Sequence, residues 1–563
     1  MIEAINNIVW GTPTLILMLS AGILFSVGTG FFQLRHIKHW LKNTVLSSKN
    51  GKTADKSSVS QFQAMSSALA ATLGTGNIAG VSSALAAGGA GAVFWMWISA
   101  LLGTMTGFAE NVLGIYYRRK SKSGEWQGGA MCYIYNGLSE IRFARRFARP
   151  LAVIFAALCV LSAFGMGNMA QMNSAAGVLE TNFGIPPLVT GLVLCIPAAF
   201  IIFGGIKRVG SITAKIVPFM SGFYILGAVW IMAENLGQLP AALGSIIEGA
   251  FGIDAVSGGV SGYIIKQAVS MGFRRGVFSN EAGLGTSVAA HAAADVREPC
   301  IQGMWSIFEV FFDTIIMCSL TAAILLASPC TAPTADEAFR SVSLSPQYFR
   351  LTEEQSIITS GASILTVATD GTQTEIRTIY GTSFDVGISE NGTTFSNIMT
   401  ITGVQRISEN GEPQFLDRGK TVPVIDSAII AEVTGAQLAT YAFSQTFGSA
   451  AGKLLAIAVL LFAFSTVIGW SCFGSGAAVF LFGNKAQTPF RLVFISLTVA
   501  GAVMDFSAVW GLCDIFNGLM AIPNLIALFL LSPKVFSITQ NYCRRIFKKE
   551  KIAPMVSNWK DDM

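Results

Sequence analysis

The chain reads as an all-α polytopic membrane protein of eleven spans, ten of them in two five-helix units of opposite orientation, with a small β-rich extracellular insert. Three observations lead there. Of its 563 residues 52% are hydrophobic and 12% charged, with mean hydropathy +0.57, whereas soluble domains are about 25% charged. Eleven apolar runs approach the roughly 20 residues that cross a hydrocarbon core of about 30 Å. Two of those runs, at matching places in the two units, are interrupted by glycine and polar residues.

The first run, 12–32, is a leader span. The N-terminus lacks a basic segment and carries Glu3, so a cleavable signal peptide is not expected. Ten core helices follow at about 62–87, 91–117, 151–180, 187–205, 212–234, 262–292, 301–327, 452–482, 490–508 and 512–532. The predicted division is 1–60 for the leader and a basic loop, and 61–260 for the first repeat (core helices one to five). Residues 261–327 with 429–533 make the second repeat (six to ten), and 534–563 a basic tail.

Charge orients the spans. Arg35, Lys38, Lys42, Lys49, Lys52 and Lys56 follow the leader, and Arg118 to Arg149 supply eight cations between helices two and three. Lys207, Arg208, Lys215, Arg297, Lys485 and the tail from Arg544 to Lys551 continue the alternation. The positive-inside rule places the N-terminus outside and the C-terminus in the cytoplasm, across a bacterial-type inner (plasma) membrane. An odd number of spans requires the same. A net charge of +5 is ordinary for such a protein, so the expected partner is the lipid bilayer and not nucleic acid.

Residues 328–428, between helices seven and eight, are polar and net acidic. Alternating β-branched residues punctuated by Asp370-Gly371, Asn391-Gly392 and Asn410-Gly411 predict hairpins. A domain there is a lid, a surface for an unknown partner, or a tolerated loop decoration.

The interruptions carry the chemistry. Core helix one contains Gly74-Thr-Gly-Asn77, and two glycines with an asparagine cost about 2 kcal/mol of helix propensity against alanine. Backbone freed inside a membrane must meet protein or a water-lined cavity. The second half-helix then turns free N–H groups, from Asn77 onward, toward an anion. The first half offers the carbonyls of Ala70, Ala71 and Thr72 to a cation. A Gly-rich packing face is the plainer alternative. Core helix six repeats the pattern, with Ser279-Asn-Glu-Ala-Gly283 as the expected break.

Other chemistries find little support. Nine cysteines lie scattered without a C-x-x-C pair, and the three histidines are dispersed. His291 with Asp295 is the nearest approach to a catalytic pair, so no enzyme is expected.

Gly74-Thr-Gly-Asn-Ile-Ala-Gly80, Trp126-Gln-Gly-Gly-Ala-Met131, Arg275-Gly-Val-Phe-Ser-Asn-Glu-Ala-Gly283 with His291-Ala-Ala-Ala294, and Phe464-Ser-Thr-Val-Ile-Gly-Trp-Ser471 resemble the alanine or glycine:cation symporter family, also called the sodium:alanine symporter family. The resemblance covers the chain except 328–428 and implies a LeuT-like inverted-repeat fold carrying small neutral amino acids with sodium. Where that family tends to read Tyr-Tyr-Gly-Glu, this chain has Cys472-Phe-Gly-Ser475. The resemblance implies that Thr75, Gly76 and Asn77 meet the substrate carboxylate, and carbonyls near Phe278 and Ser279 its ammonium. Sodium prefers oxygen ligands, by extension from other hard cations. The fold implies carbonyls around Thr72 and Leu73 with the hydroxyls of Ser465 and Thr466. Those hydroxyls back-bonding to their own helix is the alternative.

Large side chains would limit substrate size. Trp470 lies one turn beyond Thr466, and Phe164 and Gln171, seven apart, would share a face of helix three. Glu110, Arg274, Arg275, Glu281, Glu309 and Asp313 are intramembrane charges and hence functional candidates. Arg275 is expected to pair with Glu281 across the helix-six break, and Asp313 and Glu110 to line an ion path or a water-facing edge. Beside sodium symport stand a proton-coupled transporter of the same fold and a solute sensor using the insert.

Overall fold

The computed structural model describes residues 5–6, 9–47, 58–120, 126–251, 258–327, 449–504 and 506–557, with strand segments between 355 and 432. Core helix one begins where Ser60 and Gln63 form a capping box. The Ser60 Oγ accepts from the Gln63 amide at 3.1 Å, and the Gln63 side chain accepts from the Ser60 amide at 3.0 Å. The helix runs Gln61–Thr72, gives way to a single 3₁₀ turn at Thr75–Asn77, and resumes at Ala79–Gly88. Core helix six runs Gly258–Asn280, unwinds over 281–287 and regains one turn at Val288–His291. Its break thus begins two residues later than Ser279. Glu281 takes φ +56° there, an uncommon value for a residue with a Cβ.

The other helices are continuous through their apolar stretches. They are Thr12–Gly28 (the leader), Gly91–Tyr116 (core helix two), Pro187–Phe203 (four), Gly205–Glu234 (five), Ser449–Phe482 (eight), Gln487–Val503 (nine) and Phe506–Phe547 (ten). Helix three is α over Arg145–Phe164 and Ala170–Phe183, with a π turn at Gly165–Met169 between them. Helix seven likewise has a π segment, Phe311–Cys318, between Pro299–Val310 and Ser319–Ala327. Among the described residues, seven helices are long and apolar enough to cross a membrane, and Thr12–Gly28, Pro187–Phe203 and Leu239–Phe251 are shorter apolar helices.

Several boundaries differ from expectation. Helix three starts before 151 and helix five before 212, because their basic first turns continue the helix beyond the apolar run. Helix ten extends past 532 to Phe547, carrying Arg544 and Arg545 in its last turn, where cations suit the helix dipole. Ala130–Glu140 and Leu239–Phe251 are additional helices, too short to register as spans.

Burial separates an inner shell from a lipid-facing one. Trp305, Trp470, Phe155 and Phe278 are fully buried, while Ile196, Phe200, Leu226 and Phe482 stand mostly exposed on helices four, five and eight. Exposed apolar side chains of this kind match hydrocarbon, not water. Arg118, expected as a loop cation, is buried instead. Its guanidinium donates to the carbonyls of Ala292 and Ala294 at 2.8 and 2.7 Å and also to that of Val296, under the ring of Trp126. With Val59 pairing to the Ala293–Asp295 backbone, it pins the segment that follows helix six.

Strands Gln355–Ser360, Phe384–Glu390, Thr394–Gln405, Gln414–Asp417 and Lys420–Pro423 pair antiparallel in that order, and Leu365–Val367 pairs with Ile430–Glu432. The turn dipeptides at 370–371, 391–392 and 410–411 lie outside the described residues.

Candidate functional site

The site starts from the gap in core helix one. The amide of Gly74 folds back to the Thr72 carbonyl at 2.8 Å and to the Asn77 Oδ1 at 3.2 Å. A Cβ on Gly74 would stand 2.6 Å from the Thr466 Oγ1 and 2.9 Å from the Gln171 Oε1, so only glycine fits between helices three and eight. Gly469 has the same role on helix eight, where a Cβ would strike Ala71 at 2.8 Å.

Helix eight meets the carbonyl end of the first half-helix. Thr466 Oγ1 donates to the Ala70 carbonyl at 3.1 Å and lies 3.4 Å from that of Leu73; Ser465 Oγ reaches Ala70 at 3.4 Å. Ser465 also bonds back to Phe462 at 2.9 Å. Leu73, Ser465 and Thr466 are therefore together. The Thr72 carbonyl is occupied by the Gly74 amide, and Ala70 stands in its place. Neutral oxygens converging, with no basic residue bonded to them among the described residues, suit a hard cation.

Helix three supplies a cover for the N–H end. Gln171 Oε1 accepts from both the amide and the hydroxyl of Thr75 at 3.0 Å, while its Nε2 donates to the Met166 carbonyl at 3.1 Å. The Asn77 amide closes the 3₁₀ turn onto Gly74 at 3.3 Å. Among the described residues the Gly76 amide forms no hydrogen bond, and the Phe278 ring lies 3.3 Å from where its Cβ would be. Gly76 thus lies against the end of helix six, while the donors of Thr75 meet Gln171 of helix three.

Asn77 points its side chain to the second break. Its Nδ2 donates to Ser279 Oγ at 3.0 Å and to Asp313 Oδ1 at 2.8 Å, and its carbonyl accepts from Thr321 Oγ1 at 2.8 Å. Ser279 in turn donates to Asp313 Oδ2 at 2.6 Å. The two interrupted helices are joined through these side chains, all buried.

Two expectations for large side chains part company. Trp470 is fully buried and donates through Nε1 to Glu281 Oε1 at 2.9 Å, linking helix eight to the helix-six break. Phe164 does not join it. The ring stacks on Phe490 of helix nine at 5.2 Å. Seven residues equal two turns only in an α-helix, and the π turn at Gly165–Met169 shifts the register between them.

The charge pairs also differ from those expected. Arg274 and Arg275 both reach Asp514 of helix ten, the latter at 3.7 Å, and Glu281 instead accepts from Trp470 and from Thr286 Oγ1 at 2.5 Å. Trp10 and Asn6, ahead of the leader helix, also bond Asp514. His291 pairs with Glu309 at 2.9 Å and Gln302 at 2.6 Å, not with Asp295. Glu110 accepts from Asn524 at 2.6 Å, and the same amide donates to the Gly283 carbonyl. Asp514, Asn524, Gln302 and Thr314 were not signalled as partners, whereas the Ala70 carbonyl was, as one of those freed by the break. Asp514 alone of these had a usable sign, as an acid within an apolar run.

The profile of the sodium:alanine symporter family matches residues 1–368 and 421–557, leaving 369–420 and the last six residues unmatched. A protein of Methanococcus maripaludis named sodium/alanine symporter AgcS is 34% identical over 542 residues, 96% of this chain and 96% of its own. The Bacillus subtilis putative sodium/proton-dependent alanine carrier protein YrbD is 42% identical over 325 residues, 58% of this chain and 63% of its own. The probable sodium/glutamine symporter GlnT of that organism is 31% identical over 543 residues, 96% and 90% of the two chains.

Proposed function

Since this chain belongs to the sodium:alanine symporter family, a family of membrane transporters and not of enzymes, we propose that it imports alanine or glycine with sodium by alternating access. The observation that carries the reading is the pair of interrupted helices, one and six, with Thr466 against the freed carbonyls of the first. Sodium sits among the carbonyls of Ala70 and Leu73 and the hydroxyls of Ser465 and Thr466. The substrate carboxylate takes the amides of Thr75 and Gly76, displacing the Gln171 side chain from Thr75, and its ammonium takes carbonyls at the end of helix six, around Phe278 and Ser279.

Coupling follows from geometry. An ion on the Leu73 carbonyl orders the residue that precedes the Gly74-Thr75-Gly76 donors, so each ligand strengthens the other by the same factor. The two five-helix repeats of a LeuT-like arrangement then rock about the loaded site, with the N-terminus outside and the C-terminus cytoplasmic. Trp470, held by Glu281, restricts the substrate side chain to a methyl group or less. Purified protein in proteoliposomes should take up labelled alanine when external sodium is present and stop when choline replaces it. Equal uptake in choline, driven by a proton gradient, would transfer the reading to proton coupling. Ligand-dependent change without any uptake would leave a sensor.

A further inference from the structure

The run Arg142-Phe-Ala-Arg-Arg-Phe-Ala-Arg149 leads into core helix three, whose first residue is Arg145. Its four arginines and two phenylalanines are exposed, Phe143 at 67% and Phe147 at 48%, while Ala144 and Ala148 are buried. Among the described residues none of the four guanidinium groups forms a salt bridge or a side-chain hydrogen bond, and that of Arg146 lies over the Phe147 ring at 4.5 Å. No acid of the neighbouring sequence is at hand to neutralise them. Glu140 is held by the Tyr117 hydroxyl at 2.9 Å and by Lys534 at 3.3 Å, and the next acidic residue along the chain is Glu180.

Helix stability does not explain the run. The first turn carries Arg145 and Arg146 with no acidic residue and no side-chain cap, so its charge opposes the helix dipole. Insertion topology asks for cations of either kind, yet here every one is arginine. A guanidinium offers paired N–H donors that match two phosphate oxygens, whereas an ammonium offers a point charge. The rings, for their part, extend a lipid-facing stripe. Phe147, Ile154 and Leu161 are spaced by seven on one face of an unbroken α-helix, and they are 48, 53 and 41% exposed. The arginines thus stand where the apolar run that begins at Leu151 gives way to the head-group layer.

We propose that Arg142, Arg145, Arg146 and Arg149 bind the phosphate head group of an anionic phospholipid, with Phe143 and Phe147 seated among its upper acyl carbons and the chain running along Ile154 and Leu161. Charge complementarity selects this occupant. The patch carries four positive charges, and an apolar stripe leads from it into the span, so the partner needs a negative head joined to hydrocarbon. Phosphatidylglycerol has both. Phosphatidylcholine sets a cation beside its phosphate, and a soluble phosphate lacks the chain. Basic clusters at a membrane edge attract anionic lipid in general. Here the rings and the stripe give that attraction a single place to act. The site lies on the outer face of the helix bundle and does not depend on which solute the protein carries.

Native mass spectrometry of the purified full-length protein, offered equal amounts of phosphatidylglycerol and phosphatidylcholine in detergent, reads which lipid stays bound. Wild type is expected to retain phosphatidylglycerol in about tenfold preference, falling toward parity when all four arginines become glutamine. Changing all four to lysine keeps the charge but loses the paired donors, and should leave an intermediate preference. Phe143→Ser with Phe147→Ser keeps every charge and should weaken retention of the lipid several-fold. Melting curves establish that each variant is folded, and Arg146→Gln with Arg149→Gln, expected to lose part of the preference, serves if the fourfold variant is not. Equal retention of the two lipids by wild type, or a preference that survives the glutamine variants, overturns the site. A rise in melting temperature with soluble glycerol phosphate equal to that with phosphatidylglycerol would assign the arginines to a free anion and overturn the lipid.

Discussion

Thr466 donates its hydroxyl to the carbonyl of Ala70, 396 positions earlier in the chain, at 3.1 Å. The bond joins core helix eight to the last full turn before the gap in core helix one, and it sets the position from which Leu73 and Gly74 depart.

Removing that hydroxyl should weaken sodium more than the amino acid. Thr466→Ala is expected to raise the sodium concentration for half-maximal uptake about tenfold, the equivalent of about 1.4 kcal/mol, with maximal rate largely kept. Thr466→Ser should stay near wild type. Initial rates over a sodium series decide it, and an unshifted midpoint retires Thr466 as a ligand.

Gly74→Ala should abolish transport in a protein that still folds. The added methyl would stand 2.6 Å from Thr466 Oγ1 and 2.9 Å from Gln171 Oε1, forcing helices three and eight away from the gap. Overpacking of this kind costs about 1–3 kcal/mol, which a well-buried bundle survives. Uptake measured beside a melting curve tests both halves of the statement.

Gln171→Leu removes the acceptor shared by the amide and hydroxyl of Thr75. Two buried donors are left unpaired in the empty protein, at about 1–3 kcal/mol each. The melting temperature should fall in the absence of alanine, and saturating alanine should recover part of it by taking those donors. A variant whose stability ignores alanine would argue against carboxylate binding at Thr75.

Trp470→Ala should admit bulkier amino acids, seen as inhibition of alanine uptake by valine or leucine. Trp470→Phe keeps a ring but drops the indole N–H that reaches Glu281 at 2.9 Å. If the indole is held in place by that bond, the phenylalanine variant relaxes selectivity in the same direction by a smaller amount. Unchanged competition in both variants would remove Trp470 from the wall.

Replacing 369–420, the stretch the family profile leaves unmatched, by a short flexible linker should keep sodium-dependent uptake within about twofold. A loss larger than tenfold would make the insert a lid and not a decoration.

Much was legible beforehand because its cause is local. A helix cannot pass undisturbed through Gly74-Thr-Gly-Asn77, and the break appears at those residues. Polar residues from 279 onward announced the second interruption, although Phe278, Ser279 and Asn280 remain helical and the chain unwinds from Glu281. Apolar run length and basic loops likewise act through near neighbours, so the helices could be placed in order, with their ends less well placed where basic turns prolong them.

What escaped were choices made between distant parts of the chain. Nothing near Arg275 favours Asp514 over Glu281; the position of Asp514 on helix ten, within reach of both arginines, does. Phe164 turned to Phe490 because a π turn, invisible in a pattern built on 3.6 residues per turn, rotated the helix beneath it. Composition and local backbone preference were enough to say where rods must snap. Which carbonyl meets Thr466 depended on helices hundreds of residues apart coming to 3.1 Å of one another, a result of packing that no local pattern encodes.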